Sequence, residues 1–198
     1  MLIYLIRHGS TPGNEEGRYI GSSDESLSAV GKTTLSQNLQ KGIYPTCESI
    51  YTSPMRRCIE TAAILYPGQK PQIIPELREY SFGEFEGKNY QELNGNPAYQ
   101  EFIDSGGRAP IPGAPSLDSY RQSCVEAFFT LLPLEKKEDM VIICHGGTIM
   151  AILGFLHPEA DIYRFRVKNG EGFVMDYHRA TGRIRSLRRL GETDEIAE

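Results

Sequence analysis

Two short segments of this chain bring the same reactive residue types to the end of an apolar run. Leu2–Ile6 leads into Arg7-His8-Gly9, and Val141–Cys144 leads into His145-Gly146-Gly147. An imidazole serves as base, nucleophile or cation according to its proton. Arg7 ends an apolar strand and must find an anion, while the glycines let backbone approach a ligand closely and offer N–H donors. Such a set suits chemistry on an anionic ligand. The chain has four histidines. The other two, His157 and His178, match no motif, and His157 precedes Pro158 at a predicted helix end, a capping position.

The elements that must position these residues follow from hydrophobic periodicity. Met1–Ile6 and Met140–Cys144 are continuous apolar runs and read as buried strands. Ser49–Thr52 and Gln72–Ile74 are shorter strand candidates. Helical spacing covers Ser28 to about Lys41, weakened by Gly31. It also covers Arg56–Tyr66, stopped by Pro67-Gly68, then Leu117 to near Pro133, and Ile149–Leu156. Asn89, with Glu92 three residues on, is placed to cap a helix in the polar stretch 89–104. Gly106–Pro115 is a loop, and Ser116 suits the N-cap of the next helix. Arg164–Leu190 alternates as edge strands do. Strands separated by helices predict an α/β fold with a largely parallel sheet. His8 and His145 then lie at carboxyl ends of parallel strands, where open sheets bind ligands, each with a helix following.

At this point the sequence resembles the histidine phosphatase superfamily, also called phosphoglycerate-mutase-like. The family's R-H-G-x-T-x-x-N is similar to Arg7-His8-Gly9-Ser10-Thr11-Pro12-Gly13-Asn14. Its G-R-x-x-G and L-T-x-x-G resemble Gly17-Arg18-Tyr19-Ile20-Gly21 and Leu27-Ser28-Ala29-Val30-Gly31. Thr52-Ser53-Pro54-Met55-Arg56-Arg57-Cys58-Ile59-Glu60-Thr61-Ala62 resembles S-S-P-x-x-R-A-x-Q-T-A. Leu77-Arg78-Glu79 with Phe82-Gly83-Glu84-Phe85-Glu86-Gly87 resembles L-R-E-x-x-F-G-x-W-E-G, and His145-Gly146-Gly147 fits S-H-G-G. These motifs, in the family's order, cover nearly the whole chain.

The resemblance implies a fold and a mechanism. The fold is a three-layer α/β/α sandwich with a mostly parallel central sheet and a small helical cap, in one domain over residues 1–198 with the cap at about 89–120. The activity is a metal-independent phosphomonoesterase working through a phosphohistidine, on a small-metabolite phosphate such as α-ribazole 5′-phosphate, with no cofactor. His8 is then the nucleophile, and a backbone carbonyl accepting from its other ring nitrogen would fix the reactive tautomer. Arg7 and Arg57 clamp the phosphate with planar forks, and His145, if protonated, adds a donor. Residue type alone does not choose between Arg56 and Arg57; the motif register places Arg57. Glu79 becomes the proton donor to the leaving oxygen and then the base for water. Glu76, Glu84 and Glu86 compete locally. Asn14, Gly21 and Gly146 fall at positions that touch phosphate or substrate, and Thr11 supports Arg7 or the loop.

Two departures from the pattern stand out. Cys144 replaces the small Ser or Thr before the last histidine, and reads as a buried side chain rather than a redox switch. Ala114-Pro115 stands where Gly-Glu is common, in a loop resembling that of α-ribazole-phosphatase-like members. Phe82, Phe85, Tyr90, Tyr99 and Phe102 offer an apolar wall, most of them packing the cap.

Composition narrows the classes. Lys and Arg number 21 against 26 Asp and Glu, a net charge of −5, which argues against nucleic-acid or anionic-membrane binding. Arg179, Arg183, Arg185, Arg188 and Arg189 cluster in the tail, but Glu192, Asp194, Glu195 and Glu198 follow; charge on an exposed edge strand is the better reading. No apolar stretch approaches the ~20 residues of a membrane span. Cys47, Cys58, Cys124 and Cys144 form no C-x-x-C pair, as expected of a reduced, cytoplasmic protein. At 198 residues the chain sits nearer the family's phosphatases than its longer mutases. A cofactor-dependent phosphoglycerate mutase is the second expectation and a non-catalytic phospho-ligand binder the third. Nothing in the residues supports an oligomer.

Overall fold

The computed structural model describes residues 1–132, 138–178 and 180–193. Pro133, Arg179, Asp194, Glu195 and Glu198 lie outside them. In chain order the elements are β1 (Leu2–Arg7), α1 (Pro12–Glu15), α2 (Ala29–Gln40), β2 (Ser49–Thr52), α3 (Arg56–Leu65), β3 (Gln72–Ile73), α4 (Pro97–Asp104), α5 (Leu117–Thr130), β4 (Met140–Cys144), α6 (Gly146–Leu156), β5 (Gly172–His178) and β6 (Arg183–Arg189). The six strands order as β3-β2-β4-β1-β5-β6. β3, β2, β4 and β1 run parallel; β5 and β6 are antiparallel.

The strand period of two sorts the core into two halves. Ile3, Leu5, Met140, Ile142, Phe173 and Met175 pack with Phe128 of α5 and Ile149 and Ile152 of α6. Ile6, Ile50, Val141 and Ile143 pack instead with Leu35 of α2 and Cys58 and Ala62 of α3. The sheet thus lies between two helical layers, as expected. β1 and β4 are adjacent with Arg7 opposite Cys144, so the residues that follow them, His8 and His145, emerge side by side.

Local chemistry sets the helix ends. Ser28 caps α2 through the N–H of Gly31 at 2.8 Å. Gly31 does not weaken the fold, because a Cβ there would collide with the backbone of Ser10; its absence lets α2 lie against the loop after His8. Ser116 caps α5. α6 begins at Gly146, three residues before the expected Ile149, which makes His145 its N-cap residue.

Two expectations need correction. Asn89 and Glu92 form the reciprocal capping bonds, each about 3.0 Å, but they close a turn rather than open a helix. Pro97 biases Asn96 toward extended backbone, so the helix starts only at Pro97 with Asn96 as its cap. In the tail, β5 is not an edge strand: it is inserted between β1 and β6 and is mostly buried. Its near-continuous apolar run, Phe173-Val174-Met175, fits that central place. β6, with Arg183, Arg185, Arg188 and Arg189, is the edge.

A third apolar cluster stands apart from the sheet. Tyr80, Phe85, Leu93 and Ile111 form its buried centre, with Tyr19, Tyr99, Phe102 and Tyr120 packed around. Among the described residues no helix is long and apolar enough to cross a membrane.

Candidate active site

His8 leaves β1 buried, 3% exposed, with its N–H on the Cys144 carbonyl at 3.0 Å. Its Nδ1 lies 2.7 Å from the carbonyl oxygen of Gly9. A carbonyl only accepts, so Nδ1 carries the proton and Nε2 presents a lone pair. This is the tautomer-fixing carbonyl anticipated above. The His145 ring stands edge-on to it, centroids 5.2 Å apart. The Arg57 Nε–H donates to His145 Nδ1 at 3.3 Å, so the His145 proton sits on Nε2 and points to Ser53 Oγ at 2.7 Å. Burial, and then the neighbouring Arg57 and Arg7, hold His8 well below the usual histidine range. His145 is held well below it too, by burial and then by His8 and the arginines. Both shifts favour the neutral form of the ring.

Arg57 is fully buried. Besides His145, its guanidinium donates to Ser23 O at 2.7 Å and Gly21 O at 2.9 Å. Arg56, by contrast, is exposed and its side chain reaches Glu60 at 4.0 Å. The structure thus separates the two arginines that residue type could not. Arg7 donates to Val167 O at 2.8 Å, while its buried Nε has no partner among the described residues. Burial lowers its pKa, Glu79 opposing. No ion pair among the described residues gives either Arg7 or Arg57 a carboxylate within 4.0 Å. A fully buried guanidinium and a half-buried one, neither with a carboxylate within 4.0 Å among the described residues, make a pocket for an anion.

Glu79 is half-buried in the loop after a 3₁₀ turn at Pro75–Leu77. Its Oε1 accepts from Tyr80 N at 2.9 Å and Tyr120 OH at 2.7 Å, and its Oε2 from Gly147 N at 3.2 Å. A Cβ at Gly147 would collide with Oε1, so glycine there is what lets the carboxylate approach the start of α6. The competing Glu86 faces another way. Burial alone would raise its pKa, but the N–H groups of Ser23, Phe82 and Gly21 bring it below the carboxylate range. It fastens the 21–23 loop whose carbonyls grip Arg57. Gly21 accordingly has its N–H on Glu86 and its carbonyl on Arg57; it reaches the pocket through Arg57 rather than through a free N–H.

Asn14 closes α1 against its cap Thr11 and accepts from Asn169 Nδ2 at 2.9 Å. Asn169 also reaches the His8 carbonyl at 3.2 Å. The sequence reading missed Asn169; Asn169-Gly170 reads locally as a turn and nothing more. Ser53, the partner of His145, lay inside a recognised motif without an assigned role. Cys144 is fully buried and burial raises its thiol well above the usual range, which leaves it inert.

Beside Glu79 opens a cavity of about 430 Å³. Tyr19, Phe82, Phe102, Tyr120, Ile162 and Tyr163 wall it, and Gly147 and Glu79 also line it. Arg166 stacks on Tyr163, its guanidinium carbon 4.9 Å from the ring centroid. Of the expected wall, Phe82 and Phe102 line the cavity, Phe85 is wholly buried and Tyr90 points outward, 64% exposed. Pro115 of the departing Ala114-Pro115 pair anchors the wall by accepting from Tyr80 OH at 2.8 Å.

An imidazole with a free lone pair, facing an anion pocket at the carboxyl edge of a mostly parallel sheet, defines a class of phosphoryl-transfer enzymes. The chain belongs to the Histidine phosphatase superfamily (branch 1), whose profile matches residues 3–189, and it is a phosphatase of that superfamily. The adenosylcobalamin/alpha-ribazole phosphatase of Escherichia coli (strain K12) is 27% identical over 200 residues, spanning 96% of this chain and 98% of that protein. The metal-independent phosphoserine phosphatase of Arabidopsis thaliana is 30% identical over 159 residues, 76% of this chain and 66% of that one. The crystal structure of the alpha-ribazole phosphatase from Shigella flexneri has a TM-score of 0.83 at 25% identity, over 100% of both chains.

Proposed function

We propose that this phosphatase is metal-independent, forms a phosphohistidine on His8, and releases a ring-bearing alcohol such as α-ribazole from its 5′-phosphate. The observation that carries the chemistry is the pair of guanidiniums without a carboxylate within 4.0 Å among the described residues, half-buried Arg7 and buried Arg57, flanking a histidine whose tautomer exposes Nε2. They supply the positive charge that an ion would otherwise provide. His8 Nε2 attacks phosphorus and the bond to the leaving oxygen breaks. Protonated Glu79 gives its proton to that oxygen and the alcohol departs. Water then attacks phosphorus, the N–P bond breaks, and Glu79 takes the water's proton, which restores the starting state. Arg7, Arg57, His145 and the N–H of Gly146 hold the phosphoryl oxygens. Asn14 stands beside them and Gly21 steadies Arg57.

Residues 1–198 act as one domain, and the 89–120 segment is the cap that chooses the leaving group. The adjoining cavity supports a ring rather than a serine. Its volume falls in the range of small-molecule sites, roughly 300–1,000 Å³. Its walls are aromatic, and Glu79 is the one carboxylate among its lining residues, so an ammonium finds no counter-ion apart from the catalytic group. The test is kcat/KM on α-ribazole 5′-phosphate, O-phosphoserine and 3-phosphoglycerate with EDTA present. The ring-bearing substrate should lead. Preference for phosphoserine, isomerisation of 3-phosphoglycerate, or loss of activity to EDTA that metal restores would each overturn a part of this reading.

A further inference from the structure

Of the three donors on the Glu79 carboxylate, two are backbone N–H groups and cannot turn away. The third is the Tyr120 hydroxyl, on α5, at 2.7 Å from Oε1. The same hydroxyl lies 3.2 Å from Thr148 Oγ1 on α6, where either atom can donate. Tyr120 closes the inner wall of the cavity and Thr148 is fully buried.

We propose that Tyr120 and Thr148 form a rotatable hydrogen-bond relay behind Glu79 that follows the charge of the carboxyl group through the reaction. The proposal rests on the acid–base role of Glu79 given above. While Glu79 is ionised, Tyr120 donates to Oε1. While Glu79 holds the proton, the Tyr120 hydrogen swings to Thr148 and the phenol oxygen is free to accept. No bond to Tyr120 oxygen breaks: its proton stays on the phenol throughout, and only the hydroxyl torsion changes. A donor that strengthens as the carboxylate forms stabilises the state in which the leaving group has just been protonated. A donor that withdraws leaves the protonated acid without a third hydrogen pressed against it. Burial, and then the Glu79 charge, push the Tyr120 phenol well above its ordinary range, in keeping with a group that reorients its proton rather than gives it up. Tyr80, whose ring centroid is 5.3 Å from that of Tyr120, holds the ring in place. Tyr120 is thus a positioning residue that acts through Glu79.

The test compares kcat/KM for an alkyl phosphate and for p-nitrophenyl phosphate in Tyr120→Phe, Thr148→Val, Thr148→Ser and Glu79→Gln. The alkyl leaving group needs an acid and the nitrophenolate barely does. Tyr120→Phe keeps the ring and its packing. It should lower kcat/KM on the alkyl phosphate roughly 10- to 100-fold, the range for a hydrogen bond to a charged group, with a loss on the aryl phosphate several times smaller. Thr148→Val should show the same pattern more weakly, and Thr148→Ser, which keeps the hydroxyl, should restore it. Equal losses on both substrates, or none on either, in a folded Tyr120→Phe would overturn the relay. Should that variant fail to fold, the Val and Ser pair at Thr148 decides by the same pattern. A Glu79→Gln variant without the leaving-group difference overturns the acid role itself; with the difference present there and absent at Tyr120, the relay alone fails.

Discussion

Arg57 and Arg166 are both arginines beside the proposed reaction centre, yet their surroundings are opposites. Arg57 is fully buried and fixed by two backbone carbonyls and an imidazole. Arg166 is exposed and rests on the face of Tyr163. The same contrast separates the two regions they belong to. The pocket proposed to hold phosphate is charged and assembled on two strand ends and the start of α3, with His8, Arg7 and Arg57 fixed by backbone carbonyls and His145 by Ser53 and Arg57. The neighbouring cavity is largely aromatic and lined by loops, the 102–109 segment and the facing sides of α5 and α6. A phosphoryl group is the same in every substrate, so its site gains from rigidity. The alcohol differs between substrates, and loops on a rigid scaffold are where such choice is made.

The first way to break this comparison is Arg57→Ala. It should cost about 10²–10³ or more in kcat/KM on every phosphomonoester, the range for removing a fixed oxyanion donor. It should also lower Tm, because His145 and the carbonyls of Gly21 and Ser23 lose their buried partner. A loss confined to some substrates would show that the pocket is less general than described. Next in size is Phe102→Ala, which removes a cavity wall remote from the phosphate. KM should rise about 3- to 10-fold for ring-bearing substrates, in the range of aromatic contacts, with little change for small alkyl phosphates. Equal effects on both would erase the division of labour.

The smallest effect concerns pH. His8 and His145 sit below their unfolded values near 6.5, so below that pH the unfolded chain binds protons that the folded one refuses. Stability should therefore fall as pH drops from about 6.5 to 5. The depressed carboxyl of Glu86 works in another window: its contribution is present above about 4.3 and lost below it. Thermal melts at pH 7 and pH 5 check this, and His145→Asn should shrink the difference. An unchanged difference would mean that the pocket does not hold that ring neutral.

The contrast also explains what could be read from the residues. β1 and β4 are continuous apolar runs that end in reactive groups, and a buried parallel strand leaves that mark whatever packs around it. His8, Arg7 and His145 were visible for the same reason, and motif register placed Arg57 and Glu79. The cavity was harder. Tyr19, Tyr120 and Tyr163 are scattered over the chain and meet only in the fold, where Tyr19 and Tyr120 pack on the cluster around Tyr80 and Tyr163 bonds to Gly106. The capping bonds of Asn89 and Glu92 were foreseen correctly, but the helix they implied was not, because Pro97 reset the start. β5 was misplaced since alternation in a sequence says which face is buried, not which neighbours flank the strand. Asn169 left no trace, as its role exists only once the chain returns to pair with β1.

The central claim is that His8 carries the phosphoryl group. Rapid quenching with a ³²P-labelled substrate should trap a label that is acid-labile and alkali-stable in the wild-type protein. The label and the turnover should both vanish in His8→Ala. A label of the same stability that persists in His8→Ala, or an alkali-labile one of the kind an acyl phosphate gives, would contradict the account.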